Sequence, residues 1–399
     1  MSYCLALLAV TLGLYGFRRL GRGARMTVLR EYTTFFKLHY FFAGFLLSVF
    51  LPPGFSSAFK NSLGPILMLC LAWTGFYFGC TIDTRRSNSL TQRAVLFQFA
   101  EPFAVFGFTA LAAFIFIYAR YGAFEFTDAA VVLALFSSIS LYRRPYYPFR
   151  YGKTFLNTII DSQSPLHNII GIIGLCLVTC TINAGAKHRL ALGFTISGAH
   201  SLFLMHILVG VGSAIFLGLI YRGSDDDDAR LLALIAVNGL IGGLCYMLSL
   251  SPLFTGMLAG TFFINSTLRR HNVRELATVT EEHVEKVVMF CAGFLLMSGL
   301  AGSAGTVGYI VAGAAGVATF RLSLKYLAAR VWTTRFHGFN RGVSILWAGL
   351  TGQGILAAAV ALEYRLTIPY APAFFALMLF AYIMTHAAMV VFVLKKKGD

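Results

Sequence analysis

The sequence predicts an all-α polytopic membrane protein with about thirteen transmembrane helices, and three observations predict this fold class. Hydrophobic residues make up 58% of the 399 residues and charged residues only 12%, about half of the charged fraction of an average soluble domain. The apolar residues form thirteen segments, most of which approach the length of about 20 residues that one helical crossing needs. Basic residues lie in the short stretches between these segments. These features exclude a disordered chain, a secreted disulfide scaffold and an ordinary soluble enzyme.

The thirteen apolar segments, numbered in chain order, extend approximately over residues 2–17, 38–52, 62–82, 93–119, 127–142, 158–183, 193–221, 230–250, 252–266, 284–303, 305–331, 341–364 and 371–394. Segments 1, 2, 5 and 9 are short for a full crossing. We expect them to extend into their flanks or to be broken within the membrane. Segment 1 has a positive cluster after it rather than before it, which favours a helix with its N-terminus outside over a signal peptide.

The charges of the loops agree with this count and set the orientation. If the N-terminus is outside, every loop that follows an odd-numbered segment is cytoplasmic, and these loops hold most of the basic residues. Lys395–Lys397 then place the C-terminus in the cytoplasm. The positive-inside bias explains the formal net charge of +16. The expected surroundings are therefore a lipid bilayer, and no nucleic-acid partner is expected.

Two further features argue against a metal site or an enzyme. The acidic run Asp225–Asp228 has a spacing that matches no EF-hand, so we interpret it as a solvated tether rather than a Ca²⁺ site. The seven Cys residues lie in apolar surroundings without a CxxC pair and are interpreted as small buried hydrophobic residues. The sequence contains no nucleophile triad and no phosphate-binding loop. We therefore expect no cofactor, no metal and no catalytic activity.

Two segments carry small and hydroxyl residues near the middle of the membrane, where a helix can unwind. Segment 5 contains Phe136–Ser140, and segment 12 contains Gly349–Gly354. Each lies one helix before the end of its half, so segments 4–6 and 11–13 are predicted to be inverted repeats. Interrupted segments at matching positions indicate the site of a transporter. The alternative interpretation is that these small residues only allow close helix packing.

Ionisable or strongly polar side chains inside apolar segments are costly and are therefore candidate functional groups. These candidates are Glu101, Asp161, His167, Asn168, His200, His206, Arg321, Lys325, Gln353 and His386. We expect His200, His206 and His386 to be packing residues. Arg321 and Lys325 are like charges one helical turn apart, which repel mildly unless an anion or an acid lies between them.

Four stretches of sequence resemble the cation:proton antiporter superfamily, the elevator-type sodium/proton and potassium/proton exchangers. They are residues 63–86, 248–266, 290–302 and 321–356. The first resembles the third helix of the family, which ends in acidic and basic residues, and the second resembles its SP-x-LGA-x-x-AG-x-x-x-S helix. The third resembles the following FF-x-x-x-G helix. The fourth resembles the final block, with a Lys on helix 11 and a Gly-Glu or Gly-Gln on broken helix 12. The resemblance covers about residues 35–395.

The resemblance implies a single transporter unit over residues 1–399 with two broken helices that cross. A core that carries the ion would contain residues 93–183 and 305–394. A scaffold would contain residues 1–82 and 193–303 and would form a homodimer interface. It also implies a bacterial inner-membrane location and alternating access, in which the core moves past the scaffold.

The resemblance also assigns site residues, with one departure from the pattern of the family. The helix that matches segment 6 carries Asp-Asp or Asn-Asp in the family, whereas His167 and Asn168 occupy this place here. Lys325 matches the Lys on helix 11, and Gln353 matches or replaces a Glu on helix 12.

Residues 137–140, which include Ser137 and Ser138, match the crossing region of helix 5. The fold of the family is thus predicted to be kept, while its ion-binding acid is lost.

We therefore expect a monovalent cation (Na⁺ or K⁺):proton antiporter with an atypical site. His167 would carry the proton, since histidine titrates near neutral pH. Asn168, Ser138 and Gln353 would be ligands, and Glu101 or Asp161 would supply the counter-charge. Two alternatives stay open. One is an elevator-type transporter of an anion or a small solute, and the other is a transport-inactive sensor or partner subunit.

Overall fold

The structure is a computed structural model. It describes residues 37–51, 53–82, 92–121, 127–140, 155–184, 188–189, 195–196, 198–223, 226–267, 270–300, 304–336, 353–367 and 372–398. Segment 1 lies outside the described residues. The twelve helices in the described part of the chain coincide with segments 2 to 13. The prediction of an all-α polytopic class is confirmed.

The helices are α1 (Leu38–Phe50), α2 (Pro53–Thr81), α3 (Gln92–Tyr121), α4 (Thr127–Ser138), α5 (Phe155–Asn183), α6 (Ala199–Gly223), α7 (Asp227–Leu248), α8 (Pro252–Ser266), α9 (Arg270–Leu300), α10 (Ala304–Phe336), α11 (Ile355–Thr367) and α12 (Pro372–Gly398). Between α5 and α6, His188–Arg189 (β1) pairs antiparallel with Thr195–Ile196 (β2).

Several helix boundaries differ from the sequence prediction. Helix α2 begins at Pro53 rather than near residue 62, and two further boundaries differ for reasons visible in the structure. Segment 7 was predicted from residue 193, but Thr195–Ile196 is a strand and the helix begins at Ala199. The reason is Gly198, whose φ of 92° lies in the left-handed region and stops the helix from extending backwards. In the other direction, α9 begins at Arg270 rather than near residue 284, because the polar stretch before the apolar segment continues the same helix.

Six stretches are long and apolar enough to cross a membrane, namely Leu63–Thr81, Phe99–Phe116, Ala199–Gly223, Asp227–Leu248, Val307–Val331 and Pro372–Met389. Large apolar side chains are exposed along them, including Leu204, Leu208, Leu232 and Tyr309. An exposed apolar surface of this extent indicates contact with lipid. The protein is therefore an integral membrane protein.

Helix α4 has 12 residues and α11 has 13, which gives lengths of about 18 and 20 Å. A hydrocarbon layer is about 30 Å thick, so neither helix crosses it alone. The predicted interruption at Phe136–Ser140 coincides with the C-terminal end of α4. Of the predicted interruption at Gly349–Gly354, only Gln353 and Gly354 lie within the described residues, and they are non-helical and directly precede α11. These two ends define the candidate site.

Close backbone contacts between helices hold the remainder of the bundle. Helices α2 and α8 pack through two pairs of glycines at the spacing i, i+4, which are Gly75 with Gly79 and Gly256 with Gly260. A Cβ added at any of the four would lie 2.0–2.2 Å from a carbonyl oxygen of the facing helix. The sequence contains this small-xxx-small signal, which favours close helix packing in membranes.

Candidate functional site

Helix α4 ends at Ser138 and is followed by a buried, non-helical dipeptide, Ile139–Ser140. The two serines before it bond within their own helix. The Ser137 hydroxyl donates to Leu133 O at 2.9 Å, and the Ser138 hydroxyl donates to Leu135 O at 2.7 Å. The final carbonyls of α4 therefore need partners from elsewhere, because a helix leaves its last carbonyls without partners inside the helix.

Arg321 of α10 supplies part of this cap. Its Nε donates to Ser137 O and its Nη2 donates to Ile139 O, both at 2.9 Å. Arg321 is 1% exposed. A cation at a helix C-terminus is favoured by the partial negative charge of that end. The guanidinium fork thus fixes the interrupted end of α4, a role that the sequence analysis did not assign to Arg321.

Lys325, one turn further along α10, forms a fully buried ion pair. Its Nζ lies 3.0 Å from Glu101 Oε1 of α3, and both side chains are 0% exposed. The same Nζ donates to the Ser140 hydroxyl at 2.7 Å and lies 3.4 Å from Ser138 O. Glu101 thereby provides the acid that moderates the repulsion between Arg321 and Lys325. The pair brings α3, α4 and α10 together at one point.

Asn168 of α5 holds the backbone just after α4. Its Oδ1 accepts from the Ser140 N–H and its Nδ2 donates to Ser140 O, both at 2.9 Å. Asn168 is 0% exposed. Buried backbone groups outside regular secondary structure must find partners, and this amide satisfies both groups of Ser140. Asn168 therefore fixes the conformation of the interruption.

The N-terminal end of α11 meets the same turn of α4. Gln353, two residues before α11, donates from Nε2 to Phe136 O at 3.1 Å. Its buried Oε1 has no hydrogen-bond partner among the described residues. His386 Nε2 of α12 lies 2.8 Å from Gln353 O, which ties α12 to this interruption. The two predicted interruptions are thus in direct contact.

The structure brings six of the eight predicted site residues to the end of α4. They are Glu101, Ser137, Ser138, Asn168, Lys325 and Gln353. His167 and Asp161 lie on α5, and their side chains are outside the described part. The roles of all eight residues stay predictions.

Two residues outside the predicted site list also lie in buried polar contacts, namely Ser140, which the sequence analysis placed in the crossing region without a role of its own, and Glu363, which it did not consider. Ser140 contacts both Lys325 and Asn168. Glu363 of α11 is 0% exposed and bonds the backbone of α8. A Glu inside segment 12 is visible in the sequence, so the rule that ionisable groups in apolar segments are functional candidates could have found it.

Cys176, Cys180 and His206 form a buried group whose ligand atoms lie within 4.8 Å of one another. Both ring nitrogens of His206 are already engaged, since Nδ1 lies 2.7 Å from Leu202 O and Nε2 accepts from the Ser251 N–H at 2.7 Å. The donation from Ser251 places the ring proton on Nδ1 and directs it to a carbonyl. This geometry suits a packing histidine better than a metal ligand.

The fold is similar to that of a known transporter. No protein-family model and no curated protein matches the sequence. Among solved structures, the sodium proton antiporter MjNhaP1 from Methanocaldococcus jannaschii at pH 8 is similar, with a TM-score of 0.61 and 12% identity, over 100% of this chain and 98% of that chain. The predicted sodium/proton antiporter-like fold is confirmed, and at this identity the similarity concerns the fold alone.

Proposed function

We propose that this protein is an elevator-type secondary transporter that exchanges a monovalent cation, Na⁺ or K⁺, for protons. The observation that carries the proposal is the buried Glu101–Lys325 ion pair at the interrupted end of α4, within an antiporter-like fold. A bare cation inside a membrane needs oxygen ligands and a counter-charge. Glu101 supplies both.

The ion pair makes cation binding and proton release competitive. A cation that binds Glu101 takes the place of the Lys325 ammonium, which lies 3.0 Å from the carboxylate. A buried charge that has lost its partner is strongly disfavoured, so Lys325 gives up a proton. The Ser140 hydroxyl, 2.7 Å from Nζ, remains as a partner for the neutral amine. One cation bound then corresponds to one proton released.

The other predicted residues have subordinate roles in this proposal. Gln353 Oε1, buried and without a partner among the described residues, is offered as a second oxygen ligand. Ser138 and Asn168 join only in a state in which their present hydrogen bonds open. His167 is proposed as a further proton carrier and Asp161 as a further counter-charge, as their positions on α5 in the sequence suggest.

The finer assignments follow the same proposal. We propose that residues 93–183 and 305–394 form the moving core, that residues 1–82 and 193–303 form a homodimeric scaffold, and that the protein lies in a bacterial inner membrane with its N-terminus outside and its C-terminus in the cytoplasm. The loop charges support the orientation.

The test uses the full chain in proteoliposomes with an internal pH dye and pulses of Na⁺, K⁺ or Li⁺ across roughly pH 6 to 9. We expect cation-evoked proton movement in the wild type and its loss in Glu101→Gln. This single variant leaves a buried Lys unpaired, so the double variant Glu101→Gln/Lys325→Met, which removes both charges, tests transport without that penalty. The matched control is Glu282→Gln, because Glu282 also pairs with a lysine at 2.9 Å but lies outside the apolar segments.

The outcomes separate the alternatives. No proton movement with any cation, from folded and inserted wild-type protein, refutes the antiporter proposal. Full activity in folded Glu101→Gln refutes the role of the ion pair, and full activity in His167→Ala removes His167 from the mechanism.

An anion transporter is the second candidate. It is favoured by the buried charges that the described residues place at the interrupted end of α4, which are the two cations Arg321 and Lys325 and the acid Glu101. Uptake of a labelled anion that is insensitive to alkali cations would support it. A transport-inactive sensor would show neither activity and would copurify with a stoichiometric partner.

A further inference from the structure

A second buried polar cluster surrounds the N-terminus of α8, away from the interrupted end of α4. The first helical residue is a proline, so it has no N–H to satisfy. The Phe254 N–H donates to the Ser251 hydroxyl at 3.3 Å, and the Ser251 N–H donates to His206 Nε2 of α6 at 2.7 Å. The remaining donor, the Leu253 N–H, bonds Glu363 Oε2 of α11 at 3.2 Å. Two side chains from other helices thus complete the cap of α8.

Glu363 is a titratable group that the proposed exchange at Glu101 does not use. It is 0% exposed, and its Oε1 has no hydrogen-bond partner among the described residues. The Ser251 hydroxyl, which accepts from the Phe254 N–H, lies beside the carboxyl group. An ionised carboxylate offers about four lone-pair sites, and Leu253 and Ser251 together fill at most two of them, so at least half of this capacity is unfilled.

The surroundings of Glu363 contribute little compensating charge. The titratable groups that face it are His206 of α6, Cys176 of α5 and Cys245 of α7. The nearest charged residue in sequence, Arg365, is on α11 itself. Burial of a carboxylate without enough partners is costly, and such a group takes up a proton instead. The docked geometry therefore favours the neutral acid, with Oε2 accepting from Leu253 and the proton on Oε1.

We propose that Glu363 is a second proton-binding site, filled when α11 is docked on the N-terminus of α8 and emptied when the carboxyl group reaches water. Docking then takes up one proton from solvent and undocking returns it. No other reactant is required, since the step is the protonation of one carboxylate oxygen.

The location of Glu363 connects this site to the transport cycle. Helix α11 belongs to the proposed core, whereas α6 and α8 belong to the proposed scaffold. The Glu363–Leu253 bond therefore joins the two parts that move past each other in an elevator mechanism. This coupling rests on the proposed function, but the proton site itself rests only on the contacts around Glu363.

The first test measures amide hydrogen exchange of the first turn of α8 in the purified full-length protein, from roughly pH 5 to 9, normalised for the intrinsic pH dependence of exchange. If docking binds one proton, the docking equilibrium changes by about tenfold per pH unit in the range where the docked acid is neutral and the undocked acid is ionised. We expect stronger protection at lower pH. In Glu363→Gln, which keeps an acceptor for Leu253 and is neutral throughout, protection should not depend on pH.

The second test is infrared difference spectroscopy between the same pH limits. A carbonyl-stretch band of a protonated carboxyl group should be present in the wild type and absent in Glu363→Gln. The matched control is Glu285→Gln. Glu285 is also a buried carboxyl group, but its neighbour is Tyr382 of α12 rather than the N-terminus of α8. This control should keep both the band and the pH-dependent protection.

Equal pH profiles in the wild type and Glu363→Gln would overturn the assignment, as would an unchanged infrared spectrum. A pH dependence that persists in Glu363→Gln and disappears in His206→Gln would place the proton on His206 instead. Neither measurement uses an ion gradient, so the failure of this inference and the failure of the proposed exchange are distinguishable.

Discussion

The glycines between α2 and α8 provide a sharp test of the packing. A Cβ at Gly256 would lie 2.1 Å from Ala72 O and 3.0 Å from Phe76 N. A carbon–oxygen contact is usually about 3.3 Å or longer, so Gly256→Ala forces the two backbones apart locally by about 1 Å. No side chain can rotate to relieve the clash, because both neighbouring atoms belong to the backbone.

The expected loss of stability combines two opposing terms. Overpacking costs about 1–3 kcal/mol, while replacing a helical Gly with Ala returns up to about 1 kcal/mol. When the full return is counted, the net loss is up to about 2 kcal/mol. With an unfolding entropy of about 2 cal/mol/K per residue, this loss lowers the apparent Tm by up to roughly 2–3 °C.

The matched control is Gly243→Ala on α7, because a Cβ there meets nothing within 4 Å. This control should leave the Tm unchanged or raise it. The assay is thermal unfolding of the two variants and the wild type in the same detergent at the same scan rate, since unfolding of large proteins is often irreversible. The double variant Gly75→Ala/Gly256→Ala should lose less than the sum of the single losses, because one separation of the helices relieves both clashes. A Tm of Gly256→Ala equal to or above that of Gly243→Ala would refute the close contact.

Two further predictions concern polar contacts. Asn168→Ala should destabilise the protein by about 2–4 kcal/mol, because it leaves both backbone groups of Ser140 buried without their partner; a thermal stability equal to that of the wild type would show that Ser140 is held otherwise. Lys37, which is largely buried, donates a hydrogen bond to the exposed carboxylate of Glu282 and lowers the pKa of this carboxyl group from 4.5 to about 2. Because the folded pKa is depressed, the stabilisation is present above about pH 4.5 and is lost as the pH falls towards 2. Since the Glu282 side chain is 52% exposed, the ion pair contributes less than about 1 kcal/mol to the free energy of unfolding. The wild type should therefore be slightly more stable than Glu282→Gln near neutral pH, and this difference should vanish at low pH. An equal difference at the two pH values would contradict a stabilising ion pair between Lys37 and Glu282.

The helices could be predicted from sequence because apolar length is a local property of the chain. The interruption at Phe136–Ser140, and the described end of the predicted interruption at Gly349–Gly354, also followed from local composition, since small and hydroxyl residues weaken a helix within the membrane. The start of α6 was predicted too early because hydropathy does not detect the left-handed conformation of Gly198. The sequence also listed Arg321, but its function as the cap of α4 depends on carbonyls of a distant helix.

The sequence by itself determined the membrane class, the number of helices in the described part of the chain, and the set of polar residues available within the membrane. Only the tertiary structure decided which of these residues meet. Glu101 and Lys325 are separated by 224 positions, and Leu253 and Glu363 by 110. Hydropathy assigns each residue to a helix but leaves the rotation and the height of that helix open. Backbone contacts such as those of Gly75 and Gly256 set both, and they place one buried acid beside Lys325 and another at the N-terminus of α8.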